Sequence, residues 1–187
     1  MRPAFLLLLA LLAAAADPAP RLRPATWAQP VINTGLDNWH QVDALVHRSA
    51  QPGRGGMRQA EAFGIRTVLS LRAHHDDVDE ARGTGLRLER IPADAGDLSY
   101  AQLVAAVRLV RAATATGPVL IHCWHGSDRT GAVVAAWRIA AQRWSPEQAL
   151  DEMVHGGYGH HEYYGNLRRL IGAIDPARLR ADAGFPP

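Results

Sequence analysis

Apolar positions along the chain follow two rhythms. Thr67 to Leu71 (TVLSL) and Val119 to His122 (VLIH) are short unbroken apolar runs, the mark of strands buried on both faces. Ala44 to His47 is a further short strand candidate, and Arg87 to Ile91 alternates like a strand. Between these runs the spacing turns helical. Gly56 to Phe63 is closed by Gly64, and Asp76 to Arg82 reads as a short helix closed by Gly83 or Gly85. Leu103, Ala106, Val107 and Val110 share one face of a long helix, which opens with a Ser99–Gln102 capping box and is broken by Gly117-Pro118. Another helix is predicted from Thr130 to about Gln142. The next has Ser145 as cap, Pro146 at its first position and Gln148 three residues after the cap. Tyr163 to Ala183 reads as helical with a break near Asp175-Pro176. Strands separated by helices predict an α/β fold, a central and mainly parallel sheet flanked by helices.

The first residues carry a different pattern. Arg2 supplies a positive charge, Ala4 to Ala16 is apolar throughout, and Ala14, Ala15 and Ala16 offer small residues for cleavage before Asp17. Residues 1–16 therefore read as a secretory signal peptide; a membrane span needs about 20 apolar residues, more than this run provides. Residues 17–30, rich in Pro, Ala and Arg, read as a linker, and 31–187 as one domain. The expected location is periplasmic or secreted, with no membrane attachment after cleavage and a monomeric state. A formal net charge of +2 in 187 residues gives no support to a nucleic-acid partner. Export makes the single cysteine informative. Exported proteins use cysteines mostly in disulfide pairs, so an unpaired one is either inert and buried or a reactive thiol.

Its neighbours point to the second reading. In VLIHCWHGSDRTG (Val119 to Gly131) an apolar strand runs into Cys123, then a loop, then Arg129 and an apolar helix. Loop amides and a helix N-terminus can converge on an anion there. Gly126 lets the loop turn tightly. A helix N-terminus and a nearby Arg favour the thiolate, which is the nucleophilic form. Arg129 can hold a phosphate through two hydrogen bonds, which Lys cannot match. Cys123 and Arg129 are thus the expected nucleophile and phosphate clamp. Trp124, His125, Gly126, Ser127, Asp128, Arg129 and Thr130 are the expected substrate-binding loop. Thr130 could also donate its hydroxyl to the sulfur.

The segment HCWHGSDRTG resembles the His-Cys-x5-Arg signature of the protein-tyrosine and dual-specificity phosphatase superfamily. The likeness continues through WSPEQALDEMVHGGYG (Trp144 to Gly159), HRSAQP (His47 to Pro52) and GIRTVLSLR (Gly64 to Arg72). It covers about Asn38 to Ile171 and is greatest toward compact atypical dual-specificity enzymes, bacterial periplasmic tyrosine phosphatases among them. The resemblance implies the phosphotyrosine phosphatase II-like fold and hydrolysis of phosphomonoesters through a phosphocysteine, with no cofactor. The substrate would be a phosphorylated protein or a small phosphomonoester. Inositol phosphates are the alternative on the same scaffold, and a catalytically weak phosphate-binding module is the alternative of another class. A rhodanese-type sulfur transferase also uses a loop cysteine but lacks the Arg-Thr-Gly helix start.

The resemblance also implies a carboxylic acid that protonates the leaving oxygen, placed in the loop IPADAGD before the long helix. Asp97 lies two residues before the helix-opening Ser99, where an acidic residue favours the helix dipole. Asp94 is therefore the preferred general acid. Arg48 resembles an arginine that the family keeps near the signature loop, either bracing it or touching substrate. Asp128 is expected to turn from the ligand and brace the loop through Arg48. The remaining histidines, His74-His75 and His160-His161 among them, match no HExxH or CxxC pattern, so no metal is expected.

Overall fold

A computed structural model describes residues 23–32 and 35–186. Six strands form one mixed sheet: β1 (Gln29–Pro30), β2 (His40–Gln41), β3 (Val46–Ser49), β4 (Thr67–Arg72), β5 (Arg87–Ala93) and β6 (Val119–His122). Their spatial order is β1-β2-β3-β6-β4-β5. The β1–β2 and β2–β3 pairs are antiparallel, and the β3–β6, β6–β4 and β4–β5 pairs are parallel. Six helices flank the sheet: α1 (Arg54–Phe63), α2 (Tyr100–Thr114), α3 (Asp128–Gln142), α4 (Pro146–His155), α5 (Gly165–Gly172) and α6 (Pro176–Asp182).

The period of two along the central strands divides the core. Val119 and Ile121 enter the large cluster formed with α2 and α3, whereas Leu120 enters the smaller cluster with Met57 and Ala60 of α1. Cys123 continues the first parity and is buried in the large cluster. The capping boxes at Ser99 and Ser145 both form, and Gly64 ends α1 in the left-handed conformation at φ 112°.

Three local readings need correction. The stretch read as linker enters the fold from Arg23 onward. Trp27 and Ala28 are buried, Gln29 and Pro30 form the edge strand β1, and the Ala28 amide donates to Glu152 Oε1 at 2.6 Å. A short Pro-rich strand without alternation gave no sequence signal; an edge strand is where proline is tolerated. Asp76 to Arg82 forms turns, not a helix. Asp76 Oδ1 accepts from the Val78 amide, and Asp77 is drawn inward to His122. That local competition by aspartate side chains defeats the helix. Helix α3 begins at Asp128, two residues earlier than its pattern predicts, so Arg129 and Thr130 belong to its first turn. Residues 1–16, read as a signal peptide, lie outside the described residues.

Candidate active site

The signature loop leaves β6 at His122 and enters α3 at Asp128. Each of its carbonyls from Cys123 to Ser127 accepts a hydrogen bond. His122 Nδ1 donates to Cys123 O at 3.0 Å, the Gln51 amide to Trp124 O at 2.9 Å, and Asn38 Nδ2 to His125 O at 2.9 Å. Arg48 Nη2 donates to Gly126 O at 2.6 Å, and the Gly131 amide to Ser127 O at 2.7 Å. A trans peptide points its N–H opposite to its C=O. Five outward carbonyls therefore turn the amides of residues 124–128 toward the inner side of the loop, where they can receive an anion.

The opening on this side is a cavity of about 150 Å³ lined by Cys123, Trp124, His125, Asp128, Arg129, Ala95, His161, Tyr163 and Tyr164. Of the predicted substrate-binding residues, four line it: Trp124, His125, Asp128 and Arg129. Arg129 Nη1 donates to Ala93 O at 3.0 Å and to Leu71 O at 3.3 Å. Those carbonyls end β5 and β4, so the sheet aims the guanidinium and leaves its other nitrogens uncommitted among the described residues. Gly126 contributes backbone only. Its φ is +72°, and a Cβ there would lie 2.4 Å from the carbonyl carbon and oxygen of Ser49. The Ser127 hydroxyl turns away and donates to Tyr158 O at 2.7 Å. Thr130 is buried with no partner for its hydroxyl, so the bond to sulfur expected for it is not made here.

Arg48 braces the loop and is not among the residues that line the cavity. It is fully buried, and its guanidinium lies over the Tyr158 ring at 3.7 Å. Burial pulls its pKa down to about 10, which leaves it charged near neutrality. Burial likewise pushes the Tyr158 hydroxyl up to about 12. Asp128 braces the loop, but through His160 and His161 and not through Arg48, and it lines the cavity, against the expectation that it turns away from the ligand. Its Oδ2 lies 2.7 Å from His161 Nδ1, and its Oδ1 accepts from the His161 amide at 3.0 Å and lies 3.0 Å from His160 Nδ1. Burial raises this carboxyl, but the hydrogen bonds of His160 and His161 outweigh it and hold its pKa below the ordinary value.

Asp94 and Asp97 are both exposed, and neither side chain lines the cavity. Their loop is pinned by Asn166 Nδ2, which donates to Ala95 O at 2.7 Å and Gly96 O at 3.1 Å.

Four features escaped sequence reasoning. His161, Tyr163 and Tyr164 form one wall of the cavity; their cue was an aromatic cluster after a Gly-rich stretch. Arg72 stacks over Trp124 at 4.0 Å beside the mouth.

A buried strand that bends into a helix, closing a cysteine and an arginine around a ring of inward amides, defines a cysteine-dependent phosphatase. The family model for the DSP-PTPase phosphatase fused to NAD+ kinase matches residues 25–162, and the chain belongs to that family. The dual specificity protein phosphatase TpbA of Pseudomonas aeruginosa is 34% identical over 166 residues, which span 89% of this chain and 74% of TpbA. The crystal structure of a cysteine-to-serine TpbA in complex with phosphotyrosine superposes with a TM-score of 0.79 at 30% identity, covering 87% of this chain and 98% of that one. The core catalytic domain of the PP-IP phosphatase SIW14 from S. cerevisiae shares the fold, with a TM-score of 0.69 at 21% identity over 81% of this chain and 93% of that one. The chain is an enzyme of the protein-tyrosine and dual-specificity phosphatase class, with the mainly parallel sheet of the cysteine phosphatases.

Proposed function

We propose that the Cys123 thiolate attacks the phosphorus of an aryl phosphomonoester held by the loop amides and Arg129. A phosphocysteine forms as the phenolic oxygen leaves, and water then releases phosphate. The charge that spreads over the three equatorial oxygens in both steps meets the amides of residues 124–128 and the Arg129 guanidinium. Asp94 protonates the leaving oxygen and later takes a proton from water. It lies between Ala93, whose carbonyl holds Arg129, and Ala95, which lines the cavity. The run of outward carbonyls carries this reading, because it supplies an anion bowl with the sulfur at its start.

Phosphotyrosine fits the walls best. The cavity is narrow and flanked by Trp124, His161, Tyr163 and Tyr164, which can stack on a ring. The phosphotyrosine complex of the TpbA relative supports the same substrate. Export of the enzyme to the periplasm is supported by the apolar run from Ala4 to Ala16. Among the described residues no helix is long and apolar enough to cross a membrane.

The test is a substrate panel of phosphotyrosine peptide, phosphoserine peptide, aryl phosphate and inositol phosphates, with Cys123→Ser as control. Phosphotyrosine peptide should give the highest kcat/KM, and the control should bind ligand without turnover. Preference for inositol phosphates would move the enzyme to the other branch, to which a rice inositol diphosphatase (Oryza sativa subsp. japonica), 30% identical over 122 residues, gives some weight. Turnover by Cys123→Ser would refute the mechanism.

A further inference from the structure

The loop between β4 and β5 carries a cluster that the phosphatase reaction does not use. His75 Nε2, Asp77 Oδ1 and Glu80 Oε2 lie within 4.8 Å of one another. The imidazole nitrogen is 3.7 Å from Asp77 Oδ1 and 3.6 Å from Glu80 Oε2. All three atoms are closed off from solvent, and none has a hydrogen-bond partner. Asp77 is only 4% exposed. An unpaired carboxylate oxygen at that depth is costly unless something positive compensates it.

Distances separate an ion pair from a coordination shell. Where histidines face carboxylates elsewhere, they close to contact: His122–Asp77 at 2.8 Å, His155–Asp151 at 2.8 Å, His161–Asp128 at 2.7 Å. His75 stands off from both of its partners. Two ligands bound to one ion at about 2.0–2.2 Å, near-tetrahedral angles apart, are themselves roughly 3.3–3.6 Å apart, close to the two separations that His75 makes.

We infer that His75, Asp77 and Glu80 form a binding site for a divalent transition-metal ion of the zinc type. One imidazole and two carboxylates suit such an ion; an imidazole is a poor ligand for magnesium or calcium. His75 and Glu80 also line a groove of about 570 Å³, through which the ion enters and water completes its shell. The other Asp77 oxygen lies 2.8 Å from His122 Nε2, the hydrogen bond that commonly orients a metal-binding carboxylate. His122 in turn holds the Cys123 carbonyl. A bound ion therefore fastens the β4–β5 loop to the strand that presents the nucleophile. The pattern His-x-Asp-x-x-Glu lies in a turn and matches no familiar ligand spacing, which hid it in the sequence.

Zinc titration calorimetry on chelator-stripped Cys123→Ser protein tests the site, the serine removing the thiol as a competing ligand. One equivalent should bind and raise Tm. Affinity should fall at least ~10-fold in Glu80→Gln and in His75→Ala, and persist in His161→Ala, which disturbs the other histidine cluster. Failure to bind one equivalent, or undiminished affinity in both loop variants, overturns the proposal. It also fails if Glu80→Gln lowers the Tm of metal-free protein while zinc leaves the parent Tm unchanged; the cluster then stabilises the fold without a metal.

Discussion

Arg48 holds the carbonyl of Gly126 at 2.6 Å from strand β3, a neighbour of the strand that carries the nucleophile. A hydrogen bond from a charged donor contributes about 1.5–3 kcal/mol. Arg48 Nε and Nη1, however, have no partners in the interior, and that desolvation offsets much of the gain. Arg48→Met should therefore change stability little, within about 1 kcal/mol, yet release the Gly126 carbonyl. Misplacement of the loop by an ångström should lower kcat roughly 10- to 100-fold. Lysine should not rescue it, since one ammonium cannot both reach the carbonyl and cover the Tyr158 ring. A large loss of Tm with intact kcat per folded molecule would contradict this account.

Gly126 is the tightest position of the loop. An alanine there takes on a left-handed backbone at about 1–2 kcal/mol and drives its Cβ into Ser49, whose backbone cannot retreat without disturbing β3. Gly126→Ala should lower Tm and reduce kcat by ~100-fold or more. Thermal denaturation and steady-state kinetics on the same sample check both. Normal turnover would mean that the loop does not need this close approach.

Asp128 joins the loop to the segment that carries the aromatic wall. Asp128→Ala frees His160 and His161, and with them the orientation of Tyr163 and Tyr164. The effect should be mainly on KM for aryl substrates, roughly 5- to 20-fold, about 1–2 kcal/mol of lost positioning, with kcat less affected. Equal KM for aryl and alkyl phosphates before and after substitution would show that the wall plays no part in selection.

The general acid is decided by a pair of variants. Asp94→Asn should reduce kcat ~100-fold or more for an alkyl leaving group and less for a nitrophenolate, which leaves without a proton. Asp97→Asn should retain most activity. The reverse result assigns the acid to Asp97.

Local rules made much of this fold legible. The strand VLIH and the caps at Ser99 and Ser145 are properties of short segments, and they form as their patterns predict. The Cys123 loop was legible for the same reason, since strand, turn and helix start are contiguous. What could not be read depends on distant partners. The two roles of Arg48 and Asp128 are set by contacts 78 and 33 positions away along the chain. Arg23 and Ala28 look like linker until Tyr158 and Glu152 arrive from more than a hundred residues further on. The aspartates at 76 and 77 overturned a helical pattern by bonding to other groups.

Acid sensitivity follows from two buried histidines on β2 and β3. Burial pulls His40 to about 4, against an opposing hydrogen bond to Asn38 O, and pulls His47 to about 4 as well. The unfolded chain takes up these protons near the ordinary histidine value of 6.5, while the folded protein does not. Between pH 6.5 and about 4 the unfolded state therefore binds more protons, and stability falls as pH falls. At pH 5 each histidine costs about 2 kcal/mol, a large share of the 5–15 kcal/mol typical of a domain. Asp128 acts later and by the opposite route. Its depressed pKa gives stability above the ordinary aspartate value that is lost as pH drops through the lowered one. Urea midpoints should thus decline from pH 7 to pH 5. His47→Gln, whose amide oxygen can still accept from Trp39 Nε1, should roughly halve that decline. A midpoint constant from pH 7 to pH 5 would mean that both rings accept protons in the folded state.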